Sequence, residues 1–126
     1  MIFGIGTDIV SVDRISDSID KLGSKFALRI LTDNEYKEFS SVAQPANFLA
    51  KRFAAKEAVA KAFGTGFRDG LSLRHIEVTH DSLGKPQLVF YGYAIELINN
   101  LGIGESHLSL SDEKQNALAF VVLMKV

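Results

Sequence analysis

An alanine-rich segment near the middle of the chain constrains the fold more than any other stretch. It runs from Phe53 to Phe63 without an internal glycine or proline, and Gly64 follows it. Alanine has the highest helix propensity and glycine commonly ends a helix, so the segment predicts a helix. Because the residue before a proline avoids helical angles, Gln44-Pro45 marks the start, and we expect one long helix from about Ala46 to Phe63.

Two charged side chains share one face of this helix. Glu57 and Lys61 lie four positions apart, which places them about one helical turn from each other. With Gly64 and Gly66 just beyond, this face could present a metal ligand and a phosphate contact together. The alternative is an ordinary Glu–Lys ion pair on a surface helix, worth about 0.2–0.5 kcal/mol, and the helix spacing alone favours this alternative.

The bulk composition excludes several classes of function. The 126 residues fit one domain, residues 1–126, and a formal net charge of -1 provides no basic field for nucleic acid or an anionic membrane. The absence of cysteine excludes disulfides and zinc-thiolate sites and favours a reducing, cytoplasmic location. No apolar run approaches the ~20 residues that span a bilayer. We therefore expect one compact cytoplasmic domain that binds neither nucleic acid nor membrane.

The N-terminal segment Ile2–Val10 alternates as a β-strand does, which places Gly4, Gly6 and Asp8 on the same face. Glycines inside a strand usually mark the close approach of another part of the molecule. An aspartate at the end of such an apolar strand needs a partner if it is buried. The segment by itself leaves two interpretations of Asp8 open: a functional carboxylate, or a cap for the helix that starts at Ser11.

The next helix is predicted from Ser11, a favourable N-cap, to Leu22, where Gly23 stops it. Its apolar residues form an inward stripe: Ile15, Ile19, Leu22 and Phe26. Its outer face is basic, with Asp13, Asp17 and Asp20 beside Arg14, Ser18, Lys21 and Lys25. A solvated face of mixed charge is the more common interpretation of such a pattern, and a docking surface for an acidic partner is the alternative.

The remaining segments complete an α+β order of elements. They are a capping box at Thr32–Glu35 with a short helix to about Ser41, a strand Leu71–Thr79, a turn His80–Pro86, a strand Gln87–Tyr91, a helix Tyr93–Leu101, and strands His107–Ser111 and Ala117–Val126. The last strand is apolar on both faces, as when both are covered, and one cover could be another subunit. We predict a single compact α+β domain with a small antiparallel sheet packed on the long central helix.

Four short segments occur in a fixed order along the chain. They are Gly4–Val10 with Arg14, Arg52–Ala58 with its continuation through Gly66, Gly84–Pro86, and His107–Ser111. Together they resemble the signatures of the holo-acyl-carrier-protein synthases, which are small 4′-phosphopantetheinyl transferases. The resemblance covers nearly the whole chain, and four ordered signatures are far more specific than any one of them.

The resemblance implies transfer of 4′-phosphopantetheine from coenzyme A to a serine hydroxyl of apo acyl carrier protein, in support of fatty acid biosynthesis. Adenosine 3′,5′-bisphosphate would leave. Asp8 and Glu57 match the family's Mg²⁺ ligands, and Lys61 would act as a catalytic residue that contacts a phosphate or helps deprotonate the serine. Between Lys61, Glu57 and a metal-bound water, the sequence leaves the identity of the base open.

By the same resemblance, the protein is a homotrimer with sites between neighbouring subunits. Arg52, His107 and Ser109 would face coenzyme A from across the interface, and Pro86 would line the pantetheine end. Backbone amides at Gly64 and Gly66 would approach a phosphate. The docking residues for the acidic carrier protein would be Arg14, Lys21 and Lys25.

The chain departs from the family pattern at two places. Gln44–Asn47 is uncharged where many members carry basic residues, so we expect no contact from it to the 3′-phosphate of the nucleotide. Asp112 stands where many carry histidine and is assigned no role. His75 and His80 match no signature and are predicted to be surface residues. Two alternatives differ in their chemistry: a non-catalytic coenzyme A-binding module of this fold, and a Mg²⁺-dependent diphosphate hydrolase.

Overall fold

A 19-residue helix, α4 (Pro45–Phe63), lies at the centre of the molecule, and Pro45 occupies its first turn. The computed structural model describes residues 1–126. The other helices are α1 (Val12–Leu22), α2 (Ser24–Ile30), α3 (Asp33–Phe39) and α5 (Tyr93–Leu101). The strands are β1 (Ile2–Ser11), β2 (Ile76–His80), β3 (Pro86–Phe90), β4 (Ile103–Asp112) and β5 (Asn116–Lys125). None of the helices is both long and apolar enough to cross a membrane.

An antiparallel sheet in the order β1-β5-β4 packs one face against α4. The buried residues of its central strand are Ala117, Ala119, Val121 and Leu123. Gly4 and Gly6 of β1 lie on this face, where an added Cβ would overlap the backbone carbonyls of Ala62 and Ala58 of α4. The glycines therefore allow β1 and α4 to approach backbone to backbone, as the sequence predicts.

The opposite face of the sheet is open in the single chain. Its exposed apolar residues are Ile5, Ile9, Leu118 and Phe120, with exposed fractions of 58%, 63%, 39% and 41%. The expectation that β5 is covered on both faces is thus met on one face only within this chain. An apolar face of this kind is typical of surfaces that contact another molecule.

Two helices, α1 and α2, contain the residues that were predicted to form one apolar stripe from Ile15 to Phe26. Ser11 caps α1 as expected, with its side chain accepting from the Arg14 amide at 3.3 Å. At Gly23 the backbone takes a φ of 63°, and a new helix starts at Ser24. The prediction that Lys25 continues the basic face of α1 is therefore wrong, since Lys25 belongs to α2. Leu22, expected to point inward, is 49% exposed.

The strand predicted at Leu71 begins five positions later, at Ile76. Before it, Leu73–His75 form one 3₁₀ turn in which the Ser72 hydroxyl accepts from the Arg74 amide and the Ser72 amide donates to His75 Nδ1. These local hydrogen bonds compete with strand pairing. The hairpin itself is confirmed as a separate two-stranded sheet of β2 and β3, and so are the capping box before α3 and the bounds of α5.

Candidate active site

Asp8, Glu57 and Lys61 come together where β1 crosses α4. Asp8 lies on the α4 face of β1, and the Lys61 ammonium donates to Asp8 Oδ1 and to the Thr7 carbonyl, each at 2.9 Å. The Lys61 side chain is 54% exposed and that of Asp8 is 18% exposed. The ion pair is therefore open to solvent and to a ligand.

The charges of Asp8 and Lys61 also act on the Glu57 carboxyl. Partial burial raises the pKa of the Glu57 carboxyl, the nearby Asp8 carboxylate raises it further, and Lys61 opposes both. Because the Asp8 carboxylate disfavours ionisation of Glu57, a cation bound beside them would stabilise the site. Both line a cleft of about 480 Å³ with Phe53 and Arg14.

The donor set fits an oxygen-preferring cation such as Mg²⁺ and does not fit structural zinc. It consists of two carboxylates, and no group of three or more histidine, cysteine, aspartate or glutamate residues is gathered anywhere in the chain. Mg²⁺ commonly takes one or two carboxylates and completes its shell with waters and substrate phosphate oxygens, whereas structural zinc takes four protein ligands. Asp8 and Glu57 are suited to the first arrangement.

In the single chain, the backbone amides of the two glycines after α4 bond to carbonyls of the helix rather than to a ligand. Gly64 and Gly66 both have positive φ, 85° and 66°, a region that glycine adopts without strain. The Gly64 amide donates to the Lys61 carbonyl at 3.0 Å and the Gly66 amide to the Ala60 carbonyl at 3.2 Å. Both amides thus terminate α4, and their predicted contact with a phosphate stays a prediction.

The predicted coenzyme A residues gather in a second region, away from the carboxylates. Arg52, Pro86 and Ser109 line a cleft of about 430 Å³ between α4, the β2–β3 hairpin and β4. His107 lines an adjoining cleft of about 390 Å³ that also includes Pro86. The residues at the β1–α4 crossing line neither cleft, so the predicted site residues lie in two separate regions of the chain.

Arg52 is held on several sides within its cleft. Its Nε lies 3.5 Å from a Glu35 carboxylate oxygen and its Nη2 lies 3.4 Å from Glu38. The guanidinium also lies 4.4 Å from the centroid of the Phe48 ring, a cation–π contact. Burial lowers the pKa of Arg52, and the two glutamates oppose this shift. Its position is therefore fixed before any ligand arrives.

The predicted docking residues divide between two helices. Arg14 lines the cleft of Asp8 and Glu57, and Lys21 lies in the last turn of the same helix. Neither side chain forms an ion pair within the chain, although aspartates alternate with them along α1. Lys25 begins the next helix, α2. Of the three predicted docking residues, Arg14 is thus the one that lines the cleft of the carboxylate pair.

Comparison with the sequences of known proteins points to one family. Residues 4–120 match the sequence profile of the 4′-phosphopantetheinyl transferase superfamily. A holo-[acyl-carrier-protein] synthase of Nitrosospira multiformis is 57% identical over 125 residues, covering 99% of this chain and 100% of that protein. The chain belongs to the holo-[acyl-carrier-protein] synthases.

Solved structures of the family share the fold. The holo-[acyl-carrier-protein] synthase of Neisseria meningitidis superimposes with a TM-score of 0.94 at 51% identity, covering 99% of this chain and 100% of that one. That of Bacillus anthracis, solved in complex with coenzyme A (3′,5′-ADP), gives a TM-score of 0.84 at 40% identity, covering 100% and 99%. These findings confirm the predicted family, the α+β fold and the activity: the chain is a 4′-phosphopantetheinyl transferase that converts apo to holo acyl carrier protein.

Sequence reasoning about this synthase missed a buried acid, Glu35, that lies beside Arg52. Glu35 accepts hydrogen bonds from Lys56 Nζ at 2.6 Å, the Thr32 amide at 3.0 Å and the Val78 amide at 2.9 Å. Burial lowers the pKa of Lys56, and Glu35 opposes the shift. The sequence indicated only a capping role for Glu35. A lysine inside a run of buried alanines was the available signal that a buried acid must exist.

Two residues that the sequence assigned to no site also line the Arg52 cleft of this synthase. They are His80 and Asp112. His80 is exposed, as predicted, yet it lies opposite Pro86 in the β2–β3 hairpin and so borders the cleft. Lys51, which the sequence reasoning did not consider, lines the cleft as well.

Proposed function

We propose that the enzyme transfers 4′-phosphopantetheine from coenzyme A to a serine hydroxyl of apo acyl carrier protein with Mg²⁺ held by Asp8 and Glu57, supporting fatty acid biosynthesis. The serine oxygen forms a bond to the phosphorus that carries the pantetheine. The bridging phosphorus–oxygen bond breaks, the serine proton is released, and adenosine 3′,5′-bisphosphate leaves. The convergence of Asp8, Glu57 and Lys61 from distant parts of the chain carries this proposal.

Mg²⁺ bound by Asp8 and Glu57 would supply positive charge to the diphosphate of coenzyme A. Lys61 adds a second positive charge beside it. Its ammonium already donates to Asp8 and to the Thr7 carbonyl, which leaves its remaining N–H for a phosphate oxygen. Because these two contacts hold the Lys61 nitrogen beside the metal site, we assign Lys61 to phosphate binding and charge stabilisation rather than to proton removal from the serine.

We infer that the carboxylate cleft and the Arg52 cleft are two half-sites, each completed by a neighbouring copy. The open sheet face carries exposed Ile5, Ile9 and Phe120, together with the exposed side chains of His107 and Ser109. A second copy packed on this face would bury its apolar surface and bring one subunit's Arg52 cleft towards the other's carboxylates. This supports the homotrimer, with Arg52, Pro86, His107 and Ser109 serving a site on the adjacent subunit.

Arg14 supports a docking surface on α1. It lines the same cleft as Asp8 and Glu57, so an acidic partner seated against α1 would bring its serine to the carboxylate pair. Lys21 extends this surface towards the end of the helix. Charge complementarity of this kind mainly accelerates association and selects the partner.

One assay tests the proposal against its alternatives. The protein is incubated with coenzyme A, Mg²⁺ and apo acyl carrier protein, and the carrier is then weighed by mass spectrometry. We expect the carrier to gain one phosphopantetheine. Cleavage of coenzyme A without a gain in carrier mass would identify a hydrolase, and no reaction with coenzyme A bound would identify a binding module. Either result would overturn the transfer mechanism.

A further inference from the structure

The Arg52 cleft contains more ionisable groups than the transfer chemistry uses. The groups that line it are Glu38, Lys51, Arg52, His80 and Asp112. Lys51 and Arg52 balance the two acids, so the cleft has no net charge while His80 is neutral. It gains one positive charge when the imidazole is protonated. Protonation of His80 therefore makes the cleft more attractive to an anion.

His80 and Lys51 are the basic side chains in this cleft that are free to bind a ligand. Arg52 is engaged by Glu35 and Glu38 and stacked on Phe48. The side chains of Lys51 and His80 form no hydrogen bond or ion pair within the chain. Two free nitrogen donors beside a fixed guanidinium form a site suited to a phosphate group.

The surroundings of His80 disfavour the protonated form of its imidazole in the free protein. Although His80 is exposed overall, partial desolvation by the surrounding residues lowers its pKa, Arg52 and Lys51 lower it further, and Glu38 and Asp81 oppose them. Asp112, across the cleft on β4, adds a further negative charge. A phosphate dianion placed in the cleft would add two more, and an added negative charge favours the imidazolium form.

Coenzyme A carries one anionic group that the Asp8–Glu57 site leaves unbound. Its diphosphate is assigned to the carboxylate pair and Lys61, which leaves the 3′-phosphate monoester. The second pKa of a phosphate monoester is about 6, so this group is largely a dianion near neutral pH. We propose that His80 is a binding residue for the 3′-phosphate of coenzyme A and takes up a proton when that phosphate enters the Arg52 cleft. This inference rests on the proposed function, because coenzyme A is the donor of that reaction.

Calorimetry with two donors tests the proton uptake. Coenzyme A and 3′-dephospho-coenzyme A are titrated into the enzyme with Mg²⁺ at about pH 7, in buffers of different ionisation enthalpy. We expect proton uptake with coenzyme A that is absent from the His80→Asn variant and from 3′-dephospho-coenzyme A. Uptake by His80→Asn equal to that of the unmodified enzyme would overturn the proposal. Inorganic phosphate serves as a competitor: it should weaken coenzyme A binding and leave 3′-dephospho-coenzyme A binding unchanged.

Kinetics of three variants separate charge from structure. At about pH 6, His80→Asn should raise the KM for coenzyme A about three- to tenfold with kcat unchanged, and leave the KM for 3′-dephospho-coenzyme A as it was. His80→Lys, with a permanent charge, should restore the KM but show no proton uptake. His75→Asn changes a histidine that lines neither cleft and should leave both KM values unchanged. Equal effects of His80→Asn on both donors would contradict the role.

The two proposals fail in different ways. If the unmodified enzyme transfers phosphopantetheine and the His80 variants match it with both donors, the role of His80 is wrong and the transfer reaction stands. If the unmodified enzyme modifies no carrier protein with either donor, the proposed function itself is wrong.

Discussion

The Lys61 ammonium lies 2.9 Å from the Asp8 carboxylate, although 53 positions separate the two residues. This contact depends on the close crossing of β1 and α4, which the glycines of β1 permit. Both charged residues thus sit on regular elements packed against each other rather than on loops. A site built in this way is positioned by the core of the protein.

Replacing Gly6 with alanine should separate the strand from the helix. The new Cβ would overlap the Ala58 carbonyl, a backbone group that cannot rotate away. We expect Gly6→Ala to lower the free energy of unfolding by about 1–3 kcal/mol, as other overpacked cores do, and to reduce kcat by displacing Asp8. Urea denaturation and steady-state kinetics measure the two effects. Gly104→Ala is the control, because its Cβ would meet its nearest neighbour, Val126, at 3.4 Å; equal losses in both variants would contradict the explanation.

Neutralising either carboxylate should abolish turnover without unfolding the protein. Asp8→Asn and Glu57→Gln keep the size of each side chain and remove the charge that a cation needs. We expect kcat to fall by about two orders of magnitude or more in each variant, while circular dichroism and oligomer mass stay unchanged. Chelation by EDTA should have the same effect on the unmodified enzyme, and added Mg²⁺ should reverse it. Full activity in either variant would show that the carboxylates hold no essential metal.

Local signals in the sequence were sufficient to place most elements. The capping box at Thr32, the serine cap at Ser11 and the alanine run before Gly64 depend on interactions within a few residues, so they can be recognised from the sequence alone. The sequence analysis predicted that a helix ends at Gly23, but it did not predict that a second helix begins directly after it. A glycine can end a helix or separate two, and the packing of α2 against the rest of the chain decides which.

The candidate site was predictable only in part, for the same physical reason. Asp8 and Glu57 belong to signatures, so the resemblance identified them without geometry. His80 and Lys51 border the Arg52 cleft because the β2–β3 hairpin folds over α4, and no local pattern encodes that contact. The hydrogen bonds of Glu35 to Lys56 and the Val78 amide likewise join three elements across long separations.

Replacing Arg14 should weaken the binding of acyl carrier protein far more than the binding of coenzyme A. It lines the carboxylate cleft from α1 and forms no ion pair that would occupy its guanidinium. We expect Arg14→Ala to raise the KM for acyl carrier protein about tenfold and to leave the KM for coenzyme A nearly unchanged, with the difference shrinking at high salt. Lys37→Ala, on the exposed side of α3, is the control of equal charge. Equal increases in both KM values would count against docking at Arg14.

The turn of the β2–β3 hairpin should make stability depend on acid pH. Asp81 Oδ1 accepts from the Lys85 and Leu83 amides, each at 2.9 Å, and these bonds lower the pKa of Asp81 below its ordinary value of 3.8. A carboxyl with a depressed pKa stabilises the fold above its unfolded pKa, and this contribution is lost as the pH falls through the folded pKa.

We therefore expect Asp81→Asn to be less stable than the unmodified protein near neutral pH, with the difference disappearing below the folded pKa of Asp81. Urea midpoints measured from about pH 7 down to about pH 3 follow this change. Glu96→Gln, an exposed carboxyl that forms no hydrogen bond or ion pair in the chain, should show no such trend. A stability difference that stays constant with pH would show that the Asp81 charge is not its cause.

The buried pair of Glu35 and Lys56 should be strongly coupled. Their side chains are 1% and 0% exposed, and Lys56 also donates to the Ile30 carbonyl at 2.6 Å. Lys56→Met leaves the Glu35 carboxylate buried with the long Arg52 contact as its remaining ion pair, and breaking such a pair costs about 3–5 kcal/mol. Glu35→Gln leaves Lys56 equally uncompensated.

Because the double variant Glu35→Gln/Lys56→Met removes both buried charges, we expect it to lose clearly less stability than the sum of the single losses, as measured by urea denaturation of all four proteins. Additive losses would show that the two charges do not stabilise each other.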